Sequence, residues 1–138
     1  MPFTRSIKLE WTQDGLKFRG AGSDPLTPGI VVDADNGIAP GPTLLLLIAA
    51  AGCTASDVVL ILQKMRVKLT RCDVEINGTR RDEEPKRYIA MHLKYTVAGE
   101  GIDQAKAERA VTLSVEKYCS VMSSLAPDIA VSHDVVLA

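Results

Sequence analysis

Aromatic residues are scarce in this chain, with two Phe, three Tyr and one Trp among 138 residues. Any core must therefore be built from Leu, Val, Ile and Ala. An excess of charge is missing too. The net charge is −1 with Lys and Arg scattered along the sequence, which argues against the concentrated basic patch that nucleic acid or an anionic membrane surface requires. The opening MPFTRSIKLEW has no apolar h-region, so no secretory signal is expected and a cytoplasmic location is the default. The three cysteines show no C-x-x-C spacing and read as reduced thiols rather than a disulfide framework. The two histidines, His92 and His133, lie on separate predicted strands without ligand spacing. A zinc site needs three or four convergent ligands, and no such set is evident, so neither a metal nor a cofactor is expected.

What remains is an ordinary soluble composition, 46% hydrophobic and 24% charged, in a chain long enough for one domain over residues 1–138 with a real core. Thr43 to Leu62 is nearly all apolar and long enough to be mistaken for a membrane span. Asp57 falls inside it, where a charge costs about 2.5–3.5 kcal/mol on insertion scales, and Cys53, Thr54 and Ser56 add polarity. The segment is read as a central core helix buried on most of its circumference.

The periodicity orders the rest. Ile7, Leu9 and Trp11 alternate with Ser6, Lys8 and Glu10, which predicts a half-buried strand. Gln13-Asp14-Gly15 turns the chain into a return strand over Leu16 to Gly20. Gly22 to Gly29 reads as loop, Gly29 to Asp33 as a third strand, and Asp35 to Pro42 as a second loop. Pro42 suits a first helical turn, and the helical pattern runs from Thr43 to about Met65. Val67 to Ile76 predicts a strand ended by an Asn77-Gly78 turn, with Arg80 to Lys86 as a loose tip and Tyr88 to Val97 as its partner. Asp103 is a plausible N-cap for a second helix reaching about Leu125. Pro127 ends that helix, and Ile129 to Leu137 closes the chain as a strand. The order β-β-β-α-β-β-α-β predicts an α+β fold of antiparallel sheet and two long helices.

Cys53 and Cys119 each fall on the apolar face of a predicted helix. If the fold joins them they form a candidate peroxide-reducing dithiol, one thiolate attacking and the other resolving the sulfenic acid. The competing reading is two core cysteines, since unpaired Cys is among the most buried residue types; spacing alone favours it. Cys72 reads as a packed or edge thiol on a strand. Lys64, Arg66 and Lys68 mark the solvated C-terminal end of the first helix. Asp57 in an apolar helix must be paired or protonated. It is read as a structural partner of a loop, or of a Lys or Arg from a second subunit; the functional alternative is that it holds a substrate near Cys53.

The segments APGPTLLLLIAAAGCTASDVVLILQKMRV and ERAVTLSVEKYCSVMSSL together resemble the OsmC/Ohr family of small thiol proteins, in particular OsmC-like members with Gly-Cys-Thr-Ala-x-Asp-Val-Val and Tyr-Cys-Ser-Val helices. The resemblance covers nearly the whole chain. It implies an intertwined homodimer with sheets wrapped around two long central helices. It also implies a role in oxidative-stress defence, Cys53 as peroxidatic and Cys119 as resolving cysteine, an organic hydroperoxide as substrate and a dithiol such as a lipoylated protein as reductant.

The chain departs from the peroxide reductases of that family at three places. Thr43 stands where they carry Glu, Gln13 where they carry Arg in the N-terminal hairpin, and Ser120 where Pro follows the second cysteine. Arg19 is a nearby candidate to replace the missing cation. Cys53 lies about ten residues inside its helix, beyond the turn where the dipole acts, and Asp57 one turn on adds negative charge. Activation of a thiolate takes a cation, a metal or a helix N-terminus. Arg19, Thr43 and Asp57 are therefore the expected substrate-side residues. The alternative function is a non-catalytic protein holding a small apolar ligand in the same pocket at the dimer interface, lined by Leu45, Ile48 and Met122.

Overall fold

The computed structural model describes residues 2–22 and 28–138. Its strands and helices follow the predicted order in two compact units, Met1–Leu46 and Leu47–Ala138. The loop expected from Gly22 to Gly29 falls mostly on residues 23–27, outside the described residues.

In the first unit β1 (Ile7–Trp11), β2 (Lys17–Gly22) and β3 (Ile30–Asp33) form an antiparallel sheet in that order. The β1–β2 turn places Gly15 at φ 54°, and the Trp11 indole Nε1–H closes it by donating to the Gly15 carbonyl at 3.0 Å. Trp11 pairs with Phe18 and Phe18 with Val32, so alternation puts Ile7, Leu9, Trp11, Phe18, Ile30 and Val32 on one face. That face is uncovered in the single chain: Ile7 is 72% exposed and Trp11 58%. The half-burial expected of β1 is therefore corrected. This unit holds one sheet and only the first turns of a helix, and a sheet needs a second layer to bury a face.

The loop after β3 is tightly wired. Asp33, 1% exposed, accepts from the backbone N–H groups of Asp35, Gly37 and Ile38, each at 3.0 Å. The Ile38 N–H is the strongest influence on its carboxyl. With the other two N–H groups and the Lys17 ammonium it holds Asp33 below the usual carboxylate range, against the opposing effect of burial. Asn36 Oδ1 accepts from the Gly41 N–H at 2.7 Å. The helix α1 (Pro42–Lys64) then begins on its proline, as the missing N–H permits.

In the second unit β4 (Lys68–Arg80), β5 (Tyr88–Glu100) and β6 (Ala130–Leu137) form the other sheet, in the order β4-β5-β6. β4 and β5 are antiparallel as expected, whereas β6 lies parallel to β5. The helical segment between β5 and β6 is the reason: it carries the chain back along the sheet, and such a crossover returns the next strand in the same direction. The Asn77-Gly78 turn is also corrected. β4 runs straight through it, pairing Asn77 with His92 and Gly78 with Met91. Glycine is required there for space, because a Cβ would lie 2.6 Å from Tyr88 Cε1 and 2.8 Å from Leu47 Cδ2. The chain reverses farther on, where the Arg81 N–H donates to the Arg87 carbonyl at 3.0 Å.

α1 buries a single stripe, Leu47, Ala50, Thr54, Val58 and Leu62, at the three- and four-residue steps of one helical face. Its most apolar stretch is only 22% buried within its own chain, with Ile48 and Leu60 more than half exposed. Burial on most of the circumference is thus not achieved within this chain. By length and composition alone this helix is able to cross a membrane. The core joins Val58 and Leu62 to Val67, Leu93, Tyr95, Ala110 and Val111; a fully buried aliphatic side chain contributes roughly 1.5–3 kcal/mol.

The second helix is shorter than its periodicity predicts. α2 (Gln104–Leu113) starts as expected on Asp103, whose side chain accepts from the Lys106 N–H. It passes into a π-helical turn, Ser114–Tyr118, and stops at Cys119, which is extended at φ −70° and ψ 108°. The Cys119 N–H reaches back five residues to the Ser114 carbonyl at 2.8 Å. One further turn, α3 (Ser120–Ser123), follows. π-turns insert a residue into a helix and are frequent at functional sites.

Candidate active site around Cys53 and Cys119

α1 carries Cys53 and Asp57 one turn apart, a spacing that puts both on one face. The break after α2 turns Cys119 toward them. As a result Cys53 Sγ, Cys119 Sγ and an Asp57 carboxylate oxygen all lie within 4.8 Å of one another. Cys119 is 1% exposed, while Cys53 and Asp57 are half-buried. No convergent ligand set is expected from the sequence, yet these three side chains come together from separate segments. Periodicity along one helix does not reveal which face of another will meet it.

Cys119 also ends its own π-turn productively, accepting the Met122 N–H at Sγ, 3.5 Å away. Burial pushes its thiol up from an ordinary 9.0 to about 11. The Met122 N–H opposes that shift, while the hydrogen bond to Cys53 and the Cys53 charge reinforce it. At neutral pH Cys119 therefore keeps its proton.

Asp57 has Ser114 as its partner. Ser114 Oγ lies 2.9 Å from both Asp57 Oδ2 and Thr54 Oγ1, and Thr54 Oγ1 lies 2.7 Å from the Tyr95 hydroxyl. A hydroxyl has one proton to give, and a carboxylate only accepts. Ser114 Oγ therefore donates to the Asp57 carboxylate, and the hydroxyls of Thr54 and Tyr95 continue the buried chain behind it. Thr54, Ser114 and Tyr95 are all 0% exposed. Burial pushes the Tyr95 hydroxyl up to about 12, against the Thr54 hydrogen bond and with a smaller push from the Cys119, Cys72 and Asp57 charges. Sequence reading did not single out this relay, yet it left a signal: Thr54 continues the stripe of Leu47 and Ala50 on α1, and Ser114 continues that of Ala107, Ala110 and Val111 past the end of α2.

Among the described residues no Lys or Arg forms an ion pair with Asp57. A cavity of about 490 Å³ opens beside it, lined by Asp57, Leu60, Ile61, Lys64, Leu113 and Tyr118. Its walls do not include Leu45, Ile48 or Met122. Lys64, Arg66 and Lys68 are exposed, in keeping with a solvated helix end.

Thr43 and Arg19 belong to the first unit. Thr43 is exposed in the first turn of α1. Arg19 is exposed on the polar face of β2, between Glu10 and Val31 of the neighbouring strands. Cys72 faces the core from β4, a packed thiol that burial and the Asp73 charge push upward. His92 and His133 occupy neighbouring strands but opposite faces. The His92 ring contacts Ser132 Oγ at 2.6 Å and Asp134 Oδ2 at 3.1 Å, whereas His133 meets Tyr95 edge-on at 6.5 Å.

Comparison with known proteins agrees with this architecture. The protein YhfA of Escherichia coli is 40% identical over 134 residues, spanning 95% of this chain and 98% of its own. The crystal structure of a hypothetical protein from Aquifex aeolicus is 26% identical, with a TM-score of 0.81 and coverage of 99% of both chains. An organic hydroperoxide resistance protein OsmC from Legionella pneumophila shares the fold at 16% identity, with a TM-score of 0.66 and 97% of each chain covered. The sequence profile of the family described as OsmC-like protein matches residues 34–134. The chain belongs to the OsmC-like protein family.

Proposed function

We propose that this protein is a thiol-dependent reductase of organic hydroperoxides serving oxidative-stress defence, acting in the cytoplasm as a homodimer of one OsmC-like domain. The observation that carries this reading is the meeting of two thiols from separate helices, with their sulfur atoms within 4.8 Å. Roles follow from environment. Cys53 is half-buried and reachable, so it is the nucleophile. Cys119 is buried and held protonated by burial, so it waits as the resolving thiol.

The Cys53 thiolate bonds to the terminal peroxide oxygen as the O–O bond breaks. The alkoxide that leaves takes up a proton and departs as alcohol, and Cys53 becomes a sulfenic acid. The Cys119 sulfur then attacks the Cys53 sulfur. Hydroxide leaves with the Cys119 proton as water, and a disulfide remains. A dithiol reductant returns two electrons and two protons. The uncovered apolar faces of β1 and α1 support the homodimer, since patches of this kind mark association surfaces. A second reading, a non-catalytic binder of a small apolar ligand, is favoured by the cavity beside Leu60, Ile61 and Leu113 and by Asp57 having no Lys or Arg ion-pair partner among the described residues.

The test is to treat the reduced protein with cumene hydroperoxide or hydrogen peroxide and count free thiols. The reductase loses two thiols rapidly with the organic peroxide and shows a Cys53–Cys119 link by mass spectrometry. Cys53→Ser abolishes the loss, whereas Cys119→Ser stops at sulfenic acid or over-oxidises. A Cys53 no faster than a model thiol overturns the reading in favour of the binder.

A further inference from the structure

The two-thiol cycle leaves Asp57 without a role. Its carboxylate is nevertheless held in place by a buried chain of three hydroxyls. We propose that the reduced Cys53–Asp57–Cys119 cluster is a binding site for a thiophilic divalent cation, zinc in particular.

Three observations carry the site. The donor set is two sulfurs and one carboxylate oxygen, which suits zinc; calcium and magnesium take oxygen ligands and would refuse it. Cys53 and Asp57 stand four residues apart on α1, the spacing by which one helix face presents two ligands to a single ion. Cys119 supplies the third from the break after the π-turn. A tetrahedral zinc with bonds of about 2.0–2.3 Å holds its ligand atoms roughly 3.5–3.8 Å apart. The separations here, none above 4.8 Å, need only small side-chain rotations to close on it.

The third observation is the support behind the carboxylate. Ligating carboxylates are oriented by hydrogen bonds from a second layer, and Ser114 donates to Asp57 Oδ2 at 2.9 Å. Thr54 and Tyr95 fix Ser114 in turn. A bound cation reverses the local electrostatics, since a coordinating thiol is deprotonated outright. The buried Cys119 then becomes a ligand rather than a resident proton donor. Three protein ligands leave a fourth position, and the cavity lined by Asp57 gives it access to water or an external ligand. Ser114 is a positioning residue in this site.

The inference does not rest on peroxide reduction, and its test uses no peroxide. Reduced, chelator-treated full-length protein is titrated with zinc against a chromogenic chelator, and separately with cobalt while thiolate-to-cobalt charge-transfer absorption is followed. The expected result is one metal per chain, with charge-transfer bands from two thiolates. Cys119→Ser is expected to weaken zinc binding at least about a hundredfold, and Ser114→Ala about 10–100-fold, the range for a lost second-layer partner. Cys72→Ser binds like the wild type, and wild-type protein oxidised to the Cys53–Cys119 disulfide binds none. Circular dichroism checks that each variant is folded. Binding that survives Cys53→Ser unchanged, or the absence of competition with the chelator in the reduced wild type, overturns the proposal. A protein that binds zinc but reacts no faster than a model thiol with peroxide supports this site and defeats the reductase reading.

Discussion

The two sheets of this protein make the same kind of face and treat it oppositely. β4-β5-β6 turns Leu93 and Tyr95 toward α1 and α2, where both are 0% exposed. β1-β2-β3 gathers Ile7, Leu9 and Trp11 on one side and leaves them exposed. Alternation of apolar and polar residues specifies a face but not what covers it. The covered sheet supports the cluster of Cys53, Asp57 and Cys119, because helices packed on it bring distant positions together. The uncovered sheet is left with an exposed apolar surface.

Breaking the covered side has the largest effect. Tyr95→Ala removes a buried ring together with the hydroxyl that begins the relay, and is expected to destabilise by about 3–5 kcal/mol in chemical denaturation. A loss below about 1 kcal/mol would show that this core is less tightly coupled than its burial implies. Gly78→Ala comes next. It forces a methyl against Tyr88 and Leu47, and overpacking of this kind costs about 1–3 kcal/mol; Gly78→Ser should behave alike, and neither should alter the reactivity of Cys53.

A milder perturbation is alkaline pH. Cys119 and Tyr95 are both raised, to about 11 and about 12, so between about pH 9 and 11 the unfolded chain loses a proton from the thiol that the folded chain retains. Stability falls as pH rises through that window. Cys119→Ala should lessen the fall in midpoint measured across it, leaving the contributions of the raised Cys72 thiol and of Tyr95 between about pH 10 and 12.

The uncovered side is probed by two neighbours on one strand. If a second copy covers β1, the wild-type denaturation midpoint rises with protein concentration, and Ile7→Lys weakens self-association by tenfold or more in sedimentation equilibrium. Lys8→Ala, on the opposite face, removes only an exposed 3.2 Å bridge to Glu10 and should change stability by less than about 0.5 kcal/mol. Equal effects from the two would erase the distinction between the faces.

The sequence by itself determined what local rules control. The order of elements, the proline that opens α1, the Asp103 cap and the polar tip between β4 and β5 all follow from periodicity, caps and turn residues. The family was legible too, in the residues around Cys53 and Cys119. Only tertiary structure decided the rest, because each remaining feature is a contact between segments far apart in the chain. Asn77-Gly78 reads as a turn until Tyr88 and Leu47 claim the space over the glycine. β6 is parallel because the crossover before it fixes its direction. The second helix stops at Cys119 rather than Leu125 because a π-turn places that thiol beside Cys53 and Asp57, and the hydroxyl relay behind them forms only where α1, the π-turn and β5 meet.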